Sequence, residues 1–263
     1  MCQFYSRQVL LNCPVNTSNC IYNTYSFSVD SLTNIAVSDG CGLSVKAYKK
    51  IEIARDSTIT ANFVNLTCTS KLIMSGTLTT SGKGPLEGPG SGEGTGRGGS
   101  YGGSGGDPSC TPGQYYSNYL SQIGSVDVKQ DWPAEYDYAK DSVDPVYPTM
   151  GSGGGQGGVN TTTGEMLHGG RGGGMINLVA PLIELFNGHL FCEGAKSVVA
   201  DLGSGSGGSI SITADRIDVS IQKAVVMSVR GGEGERDQHI AAGGGGRISF
   251  HVSIFLFAWV VKL

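Results

Sequence analysis

The stretch GSGSGGSISITADRIDVS, residues 203–220, contains the two features that decide the fold. A cluster of glycines comes first, and a run of alternating apolar and polar residues follows it directly. Such alternation is typical of a β-strand with one buried face. Ile210 and Ile212 are therefore expected to point into a core, whereas Ser211 and Thr213 point outward. The glycine cluster is either a phosphate-binding loop or a structural element.

The context of the glycines favours a structural element. A phosphate-binding loop presents glycine amides at the N-terminus of a helix, but the residues after GSGSGG have the period of a strand. The second candidate, SGKG at residues 81–84, lacks the Ser or Thr that follows the lysine of nucleotide-binding loops. We therefore expect no nucleotide and no cofactor, and we interpret the glycines as corner turns and tightly packed loops.

The strand pattern recurs along the chain. GGMINLVAPLIELF, which begins at Gly173, aligns without a gap with GGSISITADRIDVS, which begins at Gly207. The matched apolar pairs are Ile176 with Ile210, Leu178 with Ile212, Ile183 with Ile217, and Leu185 with Val219. Further copies are GGRISFHV at 245–252 and FVNLTCTSKLIM at 63–74. One unit of two short strands cannot bury its apolar face alone, so the units are expected to stack in parallel register.

The order of strands and glycine clusters resembles a known family of segments. The clusters are GPGSGEGTGRGGSYGGSGG, GSGGGQGG, HGGRGGG and GSGSGG, and strand patterns flank them. Residues 45–252 are in this respect similar to the glycine-rich parallel β-helix segments of very large extracellular proteins of protists and other organisms. The resemblance implies a pectin-lyase-like right-handed β-helix and a secreted or cell-surface setting. It implies no catalytic residues.

These observations together predict an all-β fold, a right-handed parallel β-helix (β-solenoid) with long glycine-rich corner insertions. Residues 1–44 are expected to form a cysteine-containing N-terminal lead-in or cap. The β-helix is expected over 45–252, with a glycine-rich and tyrosine-rich insertion at 82–174. Residues 253–263 form an atypical apolar tail.

Charge and cysteine usage bear on partners and compartment. The formal net charge of −4 gives no electrostatic reason to expect nucleic acid or an anionic membrane surface. No CxxC pair is present and the four histidines are scattered, so we expect no metal site. Four cysteines near the N-terminus favour disulfides formed in an oxidising compartment, the alternative being buried thiols. These candidate disulfide cysteines are Cys2, Cys13, Cys20 and Cys41.

Glycosylation motifs also favour an extracellular or cell-surface location. The N-x-S/T motif occurs at Asn16, Asn65 and Asn160, which are candidate N-glycosylation sites. The chain starts without a proper signal peptide, and its apolar C-terminal stretch is shorter than a membrane-spanning helix requires. We therefore expect a fragment or an incomplete gene model, with membrane contact only through segments missing from this chain.

Two groups of side chains are candidates for chemistry or binding. Asp215, Asp218 and Glu184 could form a carboxylate pair of the kind that carbohydrate-active β-helices use, the alternative being a solvated charged face. A tyrosine-rich segment could bind proteins or sugars, or cover one side of the fold. Its tyrosines are Tyr115, Tyr116, Tyr119, Tyr136, Tyr138 and Tyr147.

Three functions remain open on these grounds. The first is a structural or adhesive segment of a secreted or cell-surface protein, without catalytic activity, whose partners are extracellular proteins or glycans. The second is a carbohydrate-binding or carbohydrate-active β-helix. The third is a glycine-rich receptor ectodomain module, in which the glycines pack as polyglycine-type strands.

Overall fold

The protein is represented by a computed structural model. It describes residues 2–4, 8–14, 17–86, 98–99, 105, 150–155, 162–164, 166–219, 225–235 and 237–257. Within these ranges the regular secondary structure is entirely β, and no helix is long and apolar enough to cross a membrane.

Short strands dominate the described part of the chain. The strands are β1 (Cys2–Phe4), β2 (Gln8–Leu11), β3 (Asn19–Val29), β4 (Asn34–Val37), β5 (Gly42–Ile53), β6 (Thr58–Thr60), β7 (Phe63–Cys68), β8 (Lys71–Met74), β9 (Thr77–Thr79), β10 (Met175–Val179), β11 (Leu182–Leu185), β12 (His189–Phe191), β13 (Ser209–Val219), β14 (Val226–Ser228) and β15 (Arg247–Phe257).

The strands form two sheets in which all pairs of named strands are parallel. The larger sheet has the order β1-β3-β5-β7-β10-β13-β11-β8, and β15 pairs with β13. The smaller sheet has six strands in the order β14-β12-β9-β6-β4-β2. Strands that are distant in sequence are therefore neighbours, since β10 lies directly beside β7 although residues 69–174 separate them.

The residue matches read from the sequence are confirmed as pairing registers. Ile176 pairs with Ile210 and Leu178 with Ile212 in β10 and β13. The same positions continue on either side, to Val64 and Leu66 in β7 and to Ile248 and Phe250 in β15. Ile183–Ile217 and Leu185–Val219 are register pairs of β11 and β13. The alternation of the sequence thus fixed which side chains face inward.

One apolar core fills the space that the two sheets enclose. Ile210, Ile212 and Leu178 of the larger sheet are fully buried in it, as are Ile59 and Leu190 of the smaller sheet. Burial of each such side chain stabilises the fold by about 1.5–3 kcal/mol. Strands β3 and β4, from the predicted N-terminal lead-in, contribute Phe27 and Ile35 to the same core cluster.

The predicted right-handed parallel β-helix, or β-solenoid, with glycine-rich corner insertions is wrong. The six strands of the smaller sheet close with the larger sheet around the core in a barrel-like parallel fold instead of an open solenoid. Within the larger sheet, β5 and β13 are each long enough to pair with two successive shorter strands on one side, β7 and β8 in the first case and β10 and β11 in the second.

The glycine clusters pack against one another, so the predicted tight packing is confirmed, whereas the predicted corner insertions are wrong. We call this packed region the glycine bundle. Its described segments are 80–86, 98–99, 150–155, 169–174, 192–195, 203–208, 229–234 and 241–246. Neighbouring segments are joined by backbone hydrogen bonds, for example from the Gly154 amide to the Gly170 carbonyl and from the Gly170 amide to the Gly203 carbonyl.

Segment 203–208, the GSGSGG stretch, lies at the centre of the glycine bundle. Five consecutive amides, from Ser204 to Gly208, donate to carbonyl oxygens of other segments at 2.7–2.9 Å. The acceptors belong to Ala241, Ala195, Ser152, Gly244 and Cys192. Through these bonds and those that its own carbonyls accept, 203–208 is joined to six segments: 98–99, 150–155, 169–174, 192–195, 229–234 and 241–246.

Close backbone approach explains why glycine occupies these positions. A Cβ at Gly205 would lie 2.0 Å from the carbonyl oxygen of Arg171, and one at Gly207 would lie 1.9 Å from that of Val229. Both distances are far inside van der Waals contact, and both obstacles are backbone atoms. The two serines of the central segment are completely buried, and Ser206 Oγ satisfies both the amide and the carbonyl of Ser152. The bundle is therefore a polar, hydrogen-bonded interior.

Candidate functional site

The amides of residues 204–208 in the GSGSGG stretch are not available for a phosphate group. Its amides from Ser204 to Gly208 all donate to backbone carbonyls within the glycine bundle, and a strand, β13, follows it. A phosphate cradle requires free amides at a helix N-terminus. In the described residues, no group of three or more His, Cys, Asp or Glu side chains is placed to hold a metal ion.

Two of the four candidate disulfide cysteines are bonded to each other. Cys13 and Cys41 form a disulfide across a sequence separation of 28 residues. Cys20 is a free, buried thiol whose Sγ lies 4.0 Å from that of Cys13, and burial raises the pKa of Cys20. The side chain of Cys2 lies outside the described residues. The bond joins the residues after β2 to the turn after β4, at the end of the smaller sheet.

Two further thiols are buried within the fold. Burial raises the pKa of Cys68, and it raises the pKa of Cys192 to about 12. Cys192 donates to the carbonyl oxygen of Ser209 at 3.3 Å, beside the glycine bundle. Both thiols therefore stay protonated near neutral pH and are structural rather than nucleophilic.

The candidate carboxylates Glu184 and Asp218 are register neighbours on β11 and β13, as the alignment predicted. Each is paired with a cation. Lys71 Nζ lies 2.7 Å from Glu184 Oε1, and Arg216 binds both oxygens of Asp218, at 2.6 and 2.8 Å. The hydrogen bond to Asp218 raises the pKa of Arg216. Asp215 is exposed within β13. The arrangement is a row of surface ion pairs, which contribute little to stability.

One of the three glycosylation candidates falls on a described strand. Asn65 is half-buried in β7 with its side chain on the outer face, and its Oδ1 accepts from Asn177 Nδ2 at 3.2 Å. Asn16 and Asn160 lie outside the described residues, as do all six tyrosines of the tyrosine-rich segment. The predicted binding loop is therefore untested.

The outer face of the larger sheet is lined with short polar side chains. One row along the sheet contains Ser44, Asn65, Asn177, Ser211 and Ser249, which are successive register partners. The adjacent row contains Asn23, Lys46, Thr67, Val179 and Thr213. Amide and hydroxyl groups thus stand at the spacing of neighbouring strands, about 4.8 Å.

A patch of tyrosines and lysines lies at one edge of this polar face. We call it the tyrosine–lysine patch, and it consists of Tyr25, Lys46, Tyr48 and Lys49. The two rings stack with centroids 5.9 Å apart and an interplanar angle of 26°, and they are 56% and 70% exposed. Lys49 Nζ lies over the Tyr25 ring at 5.9 Å from its centroid.

The strand register brings the patch together. Asn23 pairs with Lys46 in β3 and β5, and the register shifts between Thr24 and Ser26, next to Tyr25. The hydroxyl of Thr69 donates to the carbonyl oxygen of Tyr48 and joins the neighbouring corner to the patch. These residues were not predicted from the sequence. The outward positions of an alternating pattern in KAYKKIEI, residues 46–53, were the signal that could have revealed Lys46 and Tyr48.

Comparison of the chain with protein-family models, with curated proteins and with solved structures finds no match. The resemblance to glycine-rich segments of large extracellular proteins therefore stays a prediction, without the β-helix that it implied.

Proposed function

We propose that this chain is a structural or adhesive segment of a secreted or cell-surface protein. The observation that carries the proposal is the Cys13–Cys41 disulfide, because disulfides form and persist in oxidising compartments. The bond closes a loop of 28 residues and would stabilise the fold by about 2–4 kcal/mol.

The continuous core and the hydrogen-bonded glycine bundle support a structural or adhesive role. The apolar core runs from β3 to β13 without interruption, and the glycine bundle adds a second body held by backbone hydrogen bonds. The long outer face displays serine, threonine and asparagine side chains suited to contacts with extracellular partners. Such a role requires a rigid surface and no catalytic group.

The receptor-ectodomain alternative is favoured by one observation, the glycine bundle. That hypothesis expects glycines packed as polyglycine-type strands, and 203–208 is hydrogen-bonded to segments on all sides. Both candidates place the chain outside the cell, and they differ in that only the receptor ectodomain requires the intact protein to be anchored in a membrane.

Surface labelling of intact cells tests the extracellular location. The endogenous protein would carry an epitope tag, and a membrane-impermeant biotin reagent would be applied before lysis. We expect the tagged protein in the biotinylated fraction or in the medium, with Cys13 and Cys41 linked under non-reducing conditions. Labelling only after lysis, with both thiols free, would contradict the proposal.

Fractionation of the same cells separates the two candidates. A structural or adhesive secreted protein is expected in the medium or the matrix, and detergent should not be needed to release it. Recovery exclusively in the detergent-solubilised membrane fraction would favour the receptor ectodomain.

A further inference from the structure

We propose that the tyrosine–lysine patch binds an acidic polysaccharide, a chain of sugars that carry carboxylates. The proposal rests on the extracellular function proposed above and names a partner for it. Two exposed rings stack across β3 and β5, and beside them β5 carries two lysines that no carboxylate of the described residues pairs with; this juxtaposition supports the proposal.

The two exposed rings offer a flat apolar surface for a sugar. Tyr25 and Tyr48 are more than half exposed although each offers a large apolar surface. Stacking on each other fixes their orientation at little further cost in conformational entropy. Tyr25 is covered on one side by Lys49, so the free face of Tyr48 is the one that remains for a ligand. The flat C–H face of a pyranose ring matches such a surface.

The two lysines indicate that the patch favours a negatively charged ligand. Among the described residues, Lys46 has no carboxylate within ion-pair distance, and Lys49 contacts the Tyr25 ring instead of an acidic group. The neighbouring lysines differ, since Lys50 lies 2.7 Å from Glu52 and Lys71 lies 2.7 Å from Glu184. The patch therefore has two positive charges that no nearby group of the described chain balances. An ammonium group suits a carboxylate as a point charge.

The polar face beside the patch fits a chain of sugars better than a single small anion. Lys46 and Tyr48 are two residues apart on the same face of β5, about 7 Å along the strand. Asn23 lies beside Lys46 on β3, and Thr67 lies beside it on β7. Their amide and hydroxyl groups are placed to bond sugar hydroxyls on either side of the charged contact.

Binding of defined oligosaccharides to the purified full chain tests this proposal. The probe is a hyaluronan octasaccharide, whose uronate residues carry carboxylates, and calorimetric titration at low ionic strength gives its affinity. The matched ligand is the same octasaccharide with its carboxyls converted to methyl esters. We expect saturable binding of the acid form, at least tenfold weaker binding of the ester, and a loss of affinity as salt is added.

The protein variants test separately how much the tyrosine ring and the lysine charges contribute to binding. Tyr48→Ala should weaken binding of the acid form at least tenfold, whereas Tyr48→Phe, which keeps the ring, should stay within about threefold. Lys46→Ala and Lys49→Ala should each weaken it severalfold. Lys196→Ala, which removes a lysine paired with Glu235 outside the patch, is the control and should leave the affinity unchanged. All of these positions are exposed, so the thermal unfolding midpoints should match that of the unchanged protein.

Three results would overturn the proposal: no saturable binding by the unchanged protein, equal affinity for the acid and the ester, or equal losses in Lys46→Ala and Lys196→Ala. Tight binding of a protein from the same matrix at Tyr48, without oligosaccharide binding, would also overturn it. None of these results affects the outcome of surface labelling of intact cells. A negative result in the binding experiments would therefore not contradict the proposed extracellular function.

Discussion

Replacing Gly205 with alanine is expected to destabilise the protein by about 4 kcal/mol or more. The new Cβ would lie 2.0 Å from the Arg171 carbonyl oxygen, 2.3 Å from its carbon and 2.7 Å from the Gly172 nitrogen. These atoms belong to a segment that is itself hydrogen-bonded on several sides, so relief of the clash requires separation of the glycine bundle. Overpacking of an interior normally costs about 1–3 kcal/mol, and larger losses accompany clashes that the surrounding structure cannot relieve. Chemical denaturation of purified protein measures the difference.

Gly245→Ala is the matched control within the same bundle. A Cβ at Gly245 meets no atom within 4 Å. Its effect should therefore stay within about 0.5 kcal/mol, or be slightly stabilising because the unfolded chain loses freedom. Equal stabilities of Gly205→Ala and Gly245→Ala would show that the close backbone packing at 203–208 does not exist in solution.

Leu178→Ala should have the second largest effect, a loss of about 3–5 kcal/mol in the free energy of unfolding. Leu178 is completely buried in β10 between its register partners Leu66 and Ile212, which are also completely buried. Removal of the side chain loses its transfer free energy and leaves a cavity that strands held on both sides cannot collapse to fill. Urea denaturation monitored by circular dichroism gives the comparison.

The same substitution at Leu10 provides the control. Leu10 lies in β2 and is 68% exposed, so Leu10→Ala should change the stability by no more than about 0.5 kcal/mol. A loss of less than 1 kcal/mol in Leu178→Ala would contradict the strand register that places this side chain in the core.

The strands could be predicted from the sequence because their side chains alternate. Ile210 and Ile212 are separated by one polar residue, and the same spacing recurs at Ile176 and Leu178. The alignment of these segments therefore predicted pairs that the structure contains. The closure into a barrel-like fold was not predictable in this way, because the alternation within one segment does not indicate how the two sheets are placed around the core.

Tight packing of the glycines was predicted, but which glycine segments lie side by side could not be, because glycine has no side chain whose pattern indicates its neighbours. Glycine is required at position 205 because the Arg171 carbonyl lies too close to leave room for a Cβ. These two residues belong to segments that are distant in sequence. In sequence, a glycine held by close packing and a glycine in a loop look the same. The glycine clusters were therefore assigned to corner insertions.

The candidate site was only partly predictable for a similar reason. Four cysteines allow several pairings, and the count alone could not select Cys13–Cys41 while leaving Cys20 free. The stacking of Tyr25 on Tyr48 depends on the register of β3 and β5, and the weak strand pattern of residues 1–44 did not supply that register. Glu184 and Asp218 were found because the alignment itself placed them side by side.

Hydrogen exchange of individual amides tests the central claim most directly, namely that the glycine segments form a packed interior. The amides of Gly205, Ser206 and Gly207 donate to carbonyl oxygens at 2.9 Å inside the bundle. We expect these amides to exchange as slowly as that of Ile212 in the core strand β13, and only through global unfolding. Exchange of residues 203–208 at the rate of an unstructured peptide, while Ile212 stays protected, would contradict the account.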